Sequence, residues 1–204
     1  MNRPGFFRFR GEFYSMKQLE ERIRTEGKVL PGGILKVDGF LNHRIDTALL
    51  HDMALEIARL YDGCGVNKIL TVEASGIALA SMTGYVMGCP MVFAKKSRTS
   101  NIAKDVYACE VPSFTHGNIS TVMVSREALS DRDRVLIIDD FLATGAALIG
   151  LREICRQAGA EVIGAAISIE KVFQGGGDKL RAEGMRIESL ARIASMTDDD
   201  LIFC

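Results

Sequence analysis

The sequence predicts an α/β protein in which a parallel β-sheet is covered by helices on both faces. Short apolar runs alternate along the chain with segments whose apolar residues recur at helical spacing. The runs are continuously apolar, as in parallel strands buried on both faces. The 204 residues, 48% hydrophobic and 25% charged, fit one globular domain.

The first predicted elements are helices. Residues 16–26 form an amphipathic pattern that ends at Gly27. After an irregular, glycine-containing segment, Asp46 or Thr47 can cap a helix that extends to about Tyr61. The sequence therefore predicts that two helices precede the sheet.

The N-terminal 15 residues are basic and aromatic but lack the apolar segment of a signal peptide. We expect residues 1–15 to be a disordered extension and residues 16–204 to form a single domain.

Strands and helices then alternate through most of the remaining chain. The predicted strands are "KILTV", "PMVFA", "VLIID" and "EVIGAAISI", with "RIESL" as a last, shorter strand. The predicted helices are "IALASMTGYVM" and "AALIGLREICRQAG". This order predicts repeated βα units and thus a parallel sheet.

The alternation stops between Lys95 and Asp133. Residues 102–111 and 119–126 read as two strands joined by a turn, which predicts an antiparallel excursion. We expect residues 96–117 to be a mobile cover over the ligand edge of the sheet.

Polar residues follow four of the predicted strands. Ligands of parallel sheets bind outside the carboxyl ends of the strands, so these positions predict a binding site. The residues are Glu73, Ala74, Ser75 and Gly76; Lys95 and Lys96; Asp139 and Asp140; and Glu170, Lys171, Val172 and Phe173.

The stretch "VLIIDDFLATGAA" carries the most specific pattern. The carboxylates of Asp139 and Asp140 can accept hydrogen bonds from a vicinal diol. The small residues around Thr144 open a helix, whose free N–H groups form an anion site. A sugar diol beside a phosphate is a phosphorylated ribose. For the two acids alone, a capped turn with solvated carboxylates is the alternative.

The same stretch resembles the phosphoribosyl pyrophosphate (PRPP) signature of the type I purine phosphoribosyltransferases. Over residues 16–202 the chain is similar to the xanthine phosphoribosyltransferases of that family. The motifs that carry this similarity, in order, are "LKVDGFLNHRID", "VEASGIA", "VFAKK", "VLIIDDFLATG", "IEKVFQGG" and "RIESLARI".

The resemblance implies a role for each motif. Asp139 and Asp140 hold the ribose hydroxyls, directly or through Mg²⁺. The PRPP-binding residues are Ala143, Thr144, Gly145, Ala146 and Ala147 at the 5′-phosphate, and Glu73, Ala74, Ser75, Gly76, Lys95 and Lys96 at the pyrophosphate. The base-binding residues are Leu35, Asn42 and Lys171. Thr144 and Ala74 stand where the closest relatives are expected to have Asn and Ser.

The base pocket can also be argued from the residues themselves. The Lys171 ammonium can donate to the oxygens of a 6-oxopurine, whereas the amino group of adenine would place donor against donor. Phe173 could offer a stacking face. The alternatives are a solvated lysine and an aromatic ring that only packs the core, and Phe141 has the same ambiguity.

The fold that the resemblance implies has a small hood over the sheet, formed by residues of about 30–46 and 171–202. The implied activity converts xanthine and PRPP to xanthosine 5′-monophosphate and pyrophosphate, with a homodimer as the assembly. The alternatives are transfer to hypoxanthine, guanine or adenine, and a non-catalytic PRPP-sensing regulator. A regulator of that kind would need a DNA-binding domain for which no helix-turn-helix pattern is seen.

Composition argues against several other classes. A net charge of −1 disfavours nucleic-acid binding, and no apolar stretch is long enough to span a membrane. The five cysteines and three histidines have no metal-ligand spacing. We therefore expect buried free thiols and a cytoplasmic enzyme.

Overall fold

The computed structural model describes residues 15–97, 105–112, 119–197 and 200–204. Residues 1–14 of the predicted extension lie outside these ranges, as do residues 98–104 and 113–117 of the predicted cover, among them His116. The helices are α1 (Ser15–Glu26), α2 (Thr47–Leu60), α3 (Gly76–Met87), α4 (Ala146–Ala158) and α5 (Gly176–Ala182). The strands are β1 (Lys28–Leu30), β2 (Ile34–Lys36), β3 (Lys68–Val72), β4 (Met91–Ser97), β5 (Val106–Pro112), β6 (Ile119–Ser125), β7 (Arg134–Leu142), β8 (Glu161–Lys171), β9 (Ile187–Met196) and β10 (Leu201–Phe203).

The main sheet has eight strands in the order β10-β9-β8-β7-β3-β4-β6-β5. Its five central strands, from β9 to β4, are parallel, and β10, β6 and β5 are antiparallel to their neighbours. The predicted α/β class and the predicted antiparallel excursion are thus confirmed. The mobility expected for the cover stays a prediction.

Helices cover both faces of the sheet. On one face Leu19 of α1, Leu49 of α2 and Leu79 of α3 pack with Ile138 of β7. On the other face Leu148, Leu151 and Ile154 of α4 and Leu180 of α5 pack with Ile137 and Ile167. Because the central strands are buried on both sides, they appear in the sequence as continuous apolar runs.

Local signals account for where the helices begin and end. The Asp46 carboxylate accepts hydrogen bonds from the N–H groups of Ala48 and Leu49 and so caps α2, as predicted. α4 begins after Gly145 and ends before Gly159, and both glycines have the left-handed conformation that favours this residue.

The structure extends several predicted elements and corrects one. "RIESL" is not a last, short strand, because it belongs to the ten-residue β9, and β10 follows it. β7 continues through both aspartates to Leu142, since its parallel pairing with β8 persists to Leu142 and Glu170. The irregular segment after α1 contains the β1–β2 hairpin and a π-helical turn at Asp38–Asn42.

All five cysteines are free, as expected, but only Cys155 is buried and Cys204 is exposed. None of the helices in the described ranges is long and apolar enough to cross a lipid bilayer. The division of the chain into an extension, a single domain and a hood stays a prediction. The two segments assigned to the hood belong to different sheets. The segment 30–46 carries the β1–β2 hairpin, whereas the segment 171–202 contributes β9 and β10 to the main sheet.

Candidate active site

A cleft of about 390 Å³ opens at the carboxyl ends of the parallel strands. It lies where the predicted site residues of β3, β7 and β8 come together, as expected for an α/β sheet. Its lining comes from the β1–β2 hairpin (32–35), the end of β3 (Val72, Glu73 and Ser75), Lys96, the β5–β6 pair (Val111, Ser120 and Val122), the stretch 139–148, Leu151 and Lys171.

Asp139 and Asp140 form the acidic part of the cleft. Asp139 is 5% exposed, and Asp140, whose backbone N–H donates to Asp139 Oδ1 at 3.0 Å, is half-buried. Burial and the neighbouring charge of Asp140 raise the pKa of Asp139 well above its usual range. The pair places two carboxyl groups at one point, where a bound cation or hydroxyl donors would offset the cost of ionising both.

The loop of residues 143–147 forms another part of the cleft, and all five residues line it. Gly145 has φ +85° and precedes the first turn of α4, where no side chain of the described residues caps the helix. The first N–H groups of α4 are therefore available for an anion. The start of α4 directly after these small residues agrees with the sequence, and the role of residues 143–147 in phosphate binding stays a prediction.

Residues 73–76 connect β3 to α3. The Glu73–Ala74 peptide bond is cis, and Glu73 Oε1 accepts a hydrogen bond of 2.6 Å from the backbone N–H of Lys96. Glu73, Ser75 and Lys96 line the cleft. Ala74, Gly76 and Lys95 are not among its lining residues, although Gly76 is buried against Thr71 and Asp139.

Lys171 forms the remaining wall, at the end of β8. Its Nζ donates a hydrogen bond of 2.8 Å to the carbonyl of Gly33 and lies 5.5 Å from the centre of the Phe141 ring. Burial lowers the pKa of Lys171. Leu35, which was also predicted at the base, is buried beside it in the cleft lining.

The other two residues predicted at the base lie outside the cleft lining. The Phe173 side chain is 44% exposed, in the turn after β8, and the ring that does line the cleft is Phe141. Asn42 ends the π-helical turn, and its buried Oδ1 has no hydrogen-bond partner among the described residues. The roles of Phe173 and Asn42 stay predictions.

Sequence reasoning missed the hairpin residues Gly32, Gly33 and Ile34 as part of the lining. Pro31 and the glycines after it predicted only an irregular segment, and nothing in the sequence indicated that this segment would reach the end of β8.

The described residues contain no group of three or more histidine, cysteine or acidic side chains that could hold a metal by themselves. Asp139 and Asp140 nevertheless supply hard oxygen donors at the edge of a cleft. Mg²⁺ is commonly held by one or two carboxylates together with water and substrate phosphates. The acidic pair therefore fits an ion of this kind when a phosphorylated substrate is present.

The comparisons with known proteins agree with this geometry. The family model for the phosphoribosyl transferase domain matches residues 38–185. The xanthine phosphoribosyltransferase of Finegoldia magna is 54% identical over 92% of this chain and 99% of its own length. That of Alkaliphilus metalliredigens is 50% identical over 92% of this chain and 93% of its own.

Solved structures show the same fold. The adenine phosphoribosyltransferase of Giardia lamblia, complexed with 9-deazaadenine, superposes with a TM-score of 0.73 at 22% identity, over 85% of this chain and 97% of that one. The adenine phosphoribosyltransferase of Rhodothermus marinus gives a TM-score of 0.71 at 23% identity, over 87% of this chain and 98% of that one. At this level of identity the similarity concerns the fold and not the base.

Proposed function

The chain belongs to the phosphoribosyl transferase domain family, and on that premise we propose that it is a xanthine phosphoribosyltransferase of purine salvage. It transfers the phosphoribosyl group of PRPP to xanthine and releases pyrophosphate. The observation that carries the choice of base is the 54% identity to a xanthine phosphoribosyltransferase over nearly the whole of both proteins. The cleft adds a half-buried lysine, Lys171, which can donate to the oxygens of a 6-oxopurine.

PRPP occupies the cleft between the acidic pair and the loop 143–147. Asp140, which is half-buried in the lining, accepts hydrogen bonds from the ribose hydroxyls. The N–H groups at the start of α4 and the Thr144 hydroxyl bind the 5′-phosphate, because charge-assisted hydrogen bonds to a helix N-terminus stabilise an anion. These contacts hold the ribose ring with its C1 towards the base side.

The reaction needs no covalent intermediate with the protein. The bond from ribose C1 to the pyrophosphate oxygen breaks with its electron pair on pyrophosphate, while a purine nitrogen forms the new bond to C1 and releases its proton to the departing pyrophosphate or to water. Lys96 and the backbone of residues 73–76 stabilise the departing charge, while Glu73 fixes the backbone of Lys96. Lys95, the other lysine predicted at the pyrophosphate, does not line the cleft, and its role stays a prediction.

Mg²⁺ is the cofactor that we propose, held by Asp139 and Asp140 together with substrate oxygens. When bound, it neutralises charge on the leaving pyrophosphate. The paired carboxylates in the cleft support this choice of cofactor, because a divalent cation would relieve the repulsion between them.

We also propose that the protein is a homodimer. Residues 74–94, which contain α3, carry no charged side chain. Tyr85 of α3 is 78% exposed, and Phe93 of β4 is 38% exposed. An uncharged helix with an exposed aromatic residue is typical of a surface that another subunit covers.

A base panel tests the assignment. Purified protein, PRPP and Mg²⁺ are combined separately with xanthine, guanine, hypoxanthine and adenine, and nucleotide formation is followed. We expect kcat/KM for xanthine to exceed that for the other bases by about 10-fold or more, the range that pocket hydrogen bonds provide. A preference for another base contradicts the choice of xanthine, and PRPP binding without turnover of any base favours a PRPP sensor.

A further inference from the structure

Glu170 is a buried carboxylate for which the proposed reaction gives no role. Its side chain is 1% exposed, at the end of β8, immediately before Lys171. Arg181 NH1 and NH2 donate to its two oxygens at 2.6 and 2.7 Å, and Ser189 Oγ donates at 2.6 Å. Burial raises the pKa of Glu170, but the hydrogen bonds from Arg181 and Ser189 outweigh this effect, so that its pKa is lowered.

Arg181 connects this carboxylate to α5 and β9. It belongs to α5, and its guanidinium also donates to the carbonyl of Ile187 at the start of β9. The bidentate geometry fixes the orientation of both partners, which a single contact would not do. The end of β8, α5 and β9 are therefore held together at one point.

The first residues of α5 lie against the phosphate loop. The backbone N–H of Gly176 donates to the carbonyl of Ala143 at 3.1 Å. A side chain at Gly176 would collide with the backbone of residues 143–145, and one at Gly145 would come within 2.9 Å of Leu180. Two glycines thus permit direct contact between α5 and the loop that is proposed to bind phosphate.

A second glycine of α5 completes the connection. A side chain at Gly177 would collide with the Glu170 carboxylate and come within 2.7 Å of Arg181 NH1. The Glu170–Arg181 pair therefore lies directly behind the glycines that contact the loop. On the other side of the pair, Glu170 is followed directly in the chain by Lys171, which contacts Gly33.

We infer that Glu170 and Arg181 form a positioning pair, which fixes the phosphate loop and the base-side Lys171 at one distance from each other. The inference rests on the proposed function, in which the loop binds PRPP and Lys171 binds the base. In-line attack requires the purine nitrogen about 3–3.5 Å from ribose C1, and a displacement of about 1 Å can cost about 100-fold in rate. Neither residue of the pair contacts substrate in this assignment.

Steady-state kinetics of matched variants test the pair. We expect Glu170→Gln and Arg181→Gln to raise KM about 10-fold for both PRPP and the base and to lower kcat, measured per folded enzyme. Arg181→Lys should recover part of the loss, and the double variant should be no worse than the poorer single one, because the two residues act as a unit. Ser189→Ala, which leaves the ion pair in place, should cause a smaller change of the same kind.

Glu188→Gln is the matched control. Glu188 lies on β9, the strand next to that of Glu170, and pairs with Arg186 at 3.0 Å, but that pair is partly exposed at the start of β9. The same carboxylate-to-amide change there should leave both KM values as they are. If Glu170 has a purely structural role, Glu170→Gln lowers the melting temperature and leaves both KM values unchanged, and that result overturns the inference. A change in KM for only one of the two substrates overturns it as well.

Calorimetric titration with PRPP alone separates this inference from the proposed function. We expect Glu170→Gln to weaken PRPP binding about 10-fold, whichever base the enzyme uses. If the wild-type protein prefers another base, the choice of xanthine fails, and the variants are then measured with that base. If Glu170→Gln binds PRPP as tightly as the wild type does, the positioning pair is refuted although the proposed function stands.

Discussion

Lys171 and Gly33 are 138 positions apart in the chain, and a hydrogen bond of 2.8 Å joins Nζ of the lysine to the carbonyl of the glycine. The contact closes the base side of the cleft, because it connects the end of β8 to the β1–β2 hairpin. An ammonium has three donors, of which this contact uses one. Lys171 therefore holds the hairpin and keeps two donors for a further acceptor, which in the proposed function is an oxygen of the purine.

Replacing Lys171 by Met tests its role in base recognition. We expect KM for xanthine to rise about 10- to 100-fold, because a hydrogen bond to a charged group contributes about 1.5–3 kcal/mol. KM for PRPP should change little. Lys179→Met, at an exposed position of α5, is the control and should leave both values unchanged. Equal changes in both KM values for Lys171→Met would count against a specific contact with the base.

Asp139 connects stability to pH. Its pKa is raised in the folded protein, by burial first and by the charge of Asp140 second, so the folded state binds this proton more tightly than the unfolded state does. The contribution of Asp139 to stability is therefore greatest at low pH. It is lost as the pH rises from about 3.9, the value in an unfolded chain, through the raised pKa.

We accordingly expect Asp139→Asn to stabilise the protein without ligand near pH 7. The amide oxygen can still accept the hydrogen bond from the Asp140 N–H, but no buried charge remains. Urea denaturation of both proteins from pH 4 to pH 8 measures the difference, which should shrink towards pH 4. A variant that is less stable than the wild type at pH 7 contradicts the argument.

Replacing both Asp139 and Asp140 by Asn tests the ribose contact. We expect kcat/KM for PRPP to fall by at least about 100-fold, since two carboxyl acceptors of the cleft are replaced by amides and each hydrogen bond to such a group contributes about 1.5–3 kcal/mol. Circular dichroism should show an intact fold, because both side chains keep their shape. Unchanged PRPP kinetics in a folded double variant would remove these residues from the site.

The part of the site that the sequence predicted is the part that local chemistry determines. Only Phe141 and Leu142 separate the two aspartates from the loop 143–147, so the order of residues already places carboxylates beside a helix N-terminus. The sequence also predicted the central strands from a local pattern, because a strand buried on both faces appears as a continuous apolar run.

What the sequence did not predict depends on contacts between distant segments. Gly33 enters the site only because Lys171 reaches it, and Phe141 lines the cleft only because β7 continues past the aspartates. Phe173 seemed equally suitable as a stacking ring, but its side chain is 44% exposed outside the lining. α5 begins with glycines, which are poor helix formers, so its place against the phosphate loop left no signal in the local pattern.

Tyr61 allows a stability test away from the cleft. Its buried hydroxyl donates to the carbonyl of Ala165 at 2.8 Å, and burial raises its pKa. Tyr61→Phe should lower the free energy of unfolding by about 1–2 kcal/mol, because the carbonyl loses its side-chain donor. Urea denaturation measures this loss, while the kinetic constants should stay near those of the wild type. A loss of activity without a loss of stability would connect Tyr61 to the site instead.

The proposed homodimer depends on the uncharged surface around α3. Tyr85→Asp places a charge at the most exposed aromatic position of that surface, where a second subunit would have to desolvate it. We expect light scattering to show either a monomer or a dimer whose dissociation constant is about 100-fold higher than that of the wild type. The reason is that burying the new charge costs about 2–3 kcal/mol. Ile202→Asp is the matched control, because Ile202 is 57% exposed on β10 and lies outside this surface. If Tyr85→Asp keeps the mass of a wild-type dimer, the subunits meet at another face, and a wild-type protein that is itself a monomer removes the proposal.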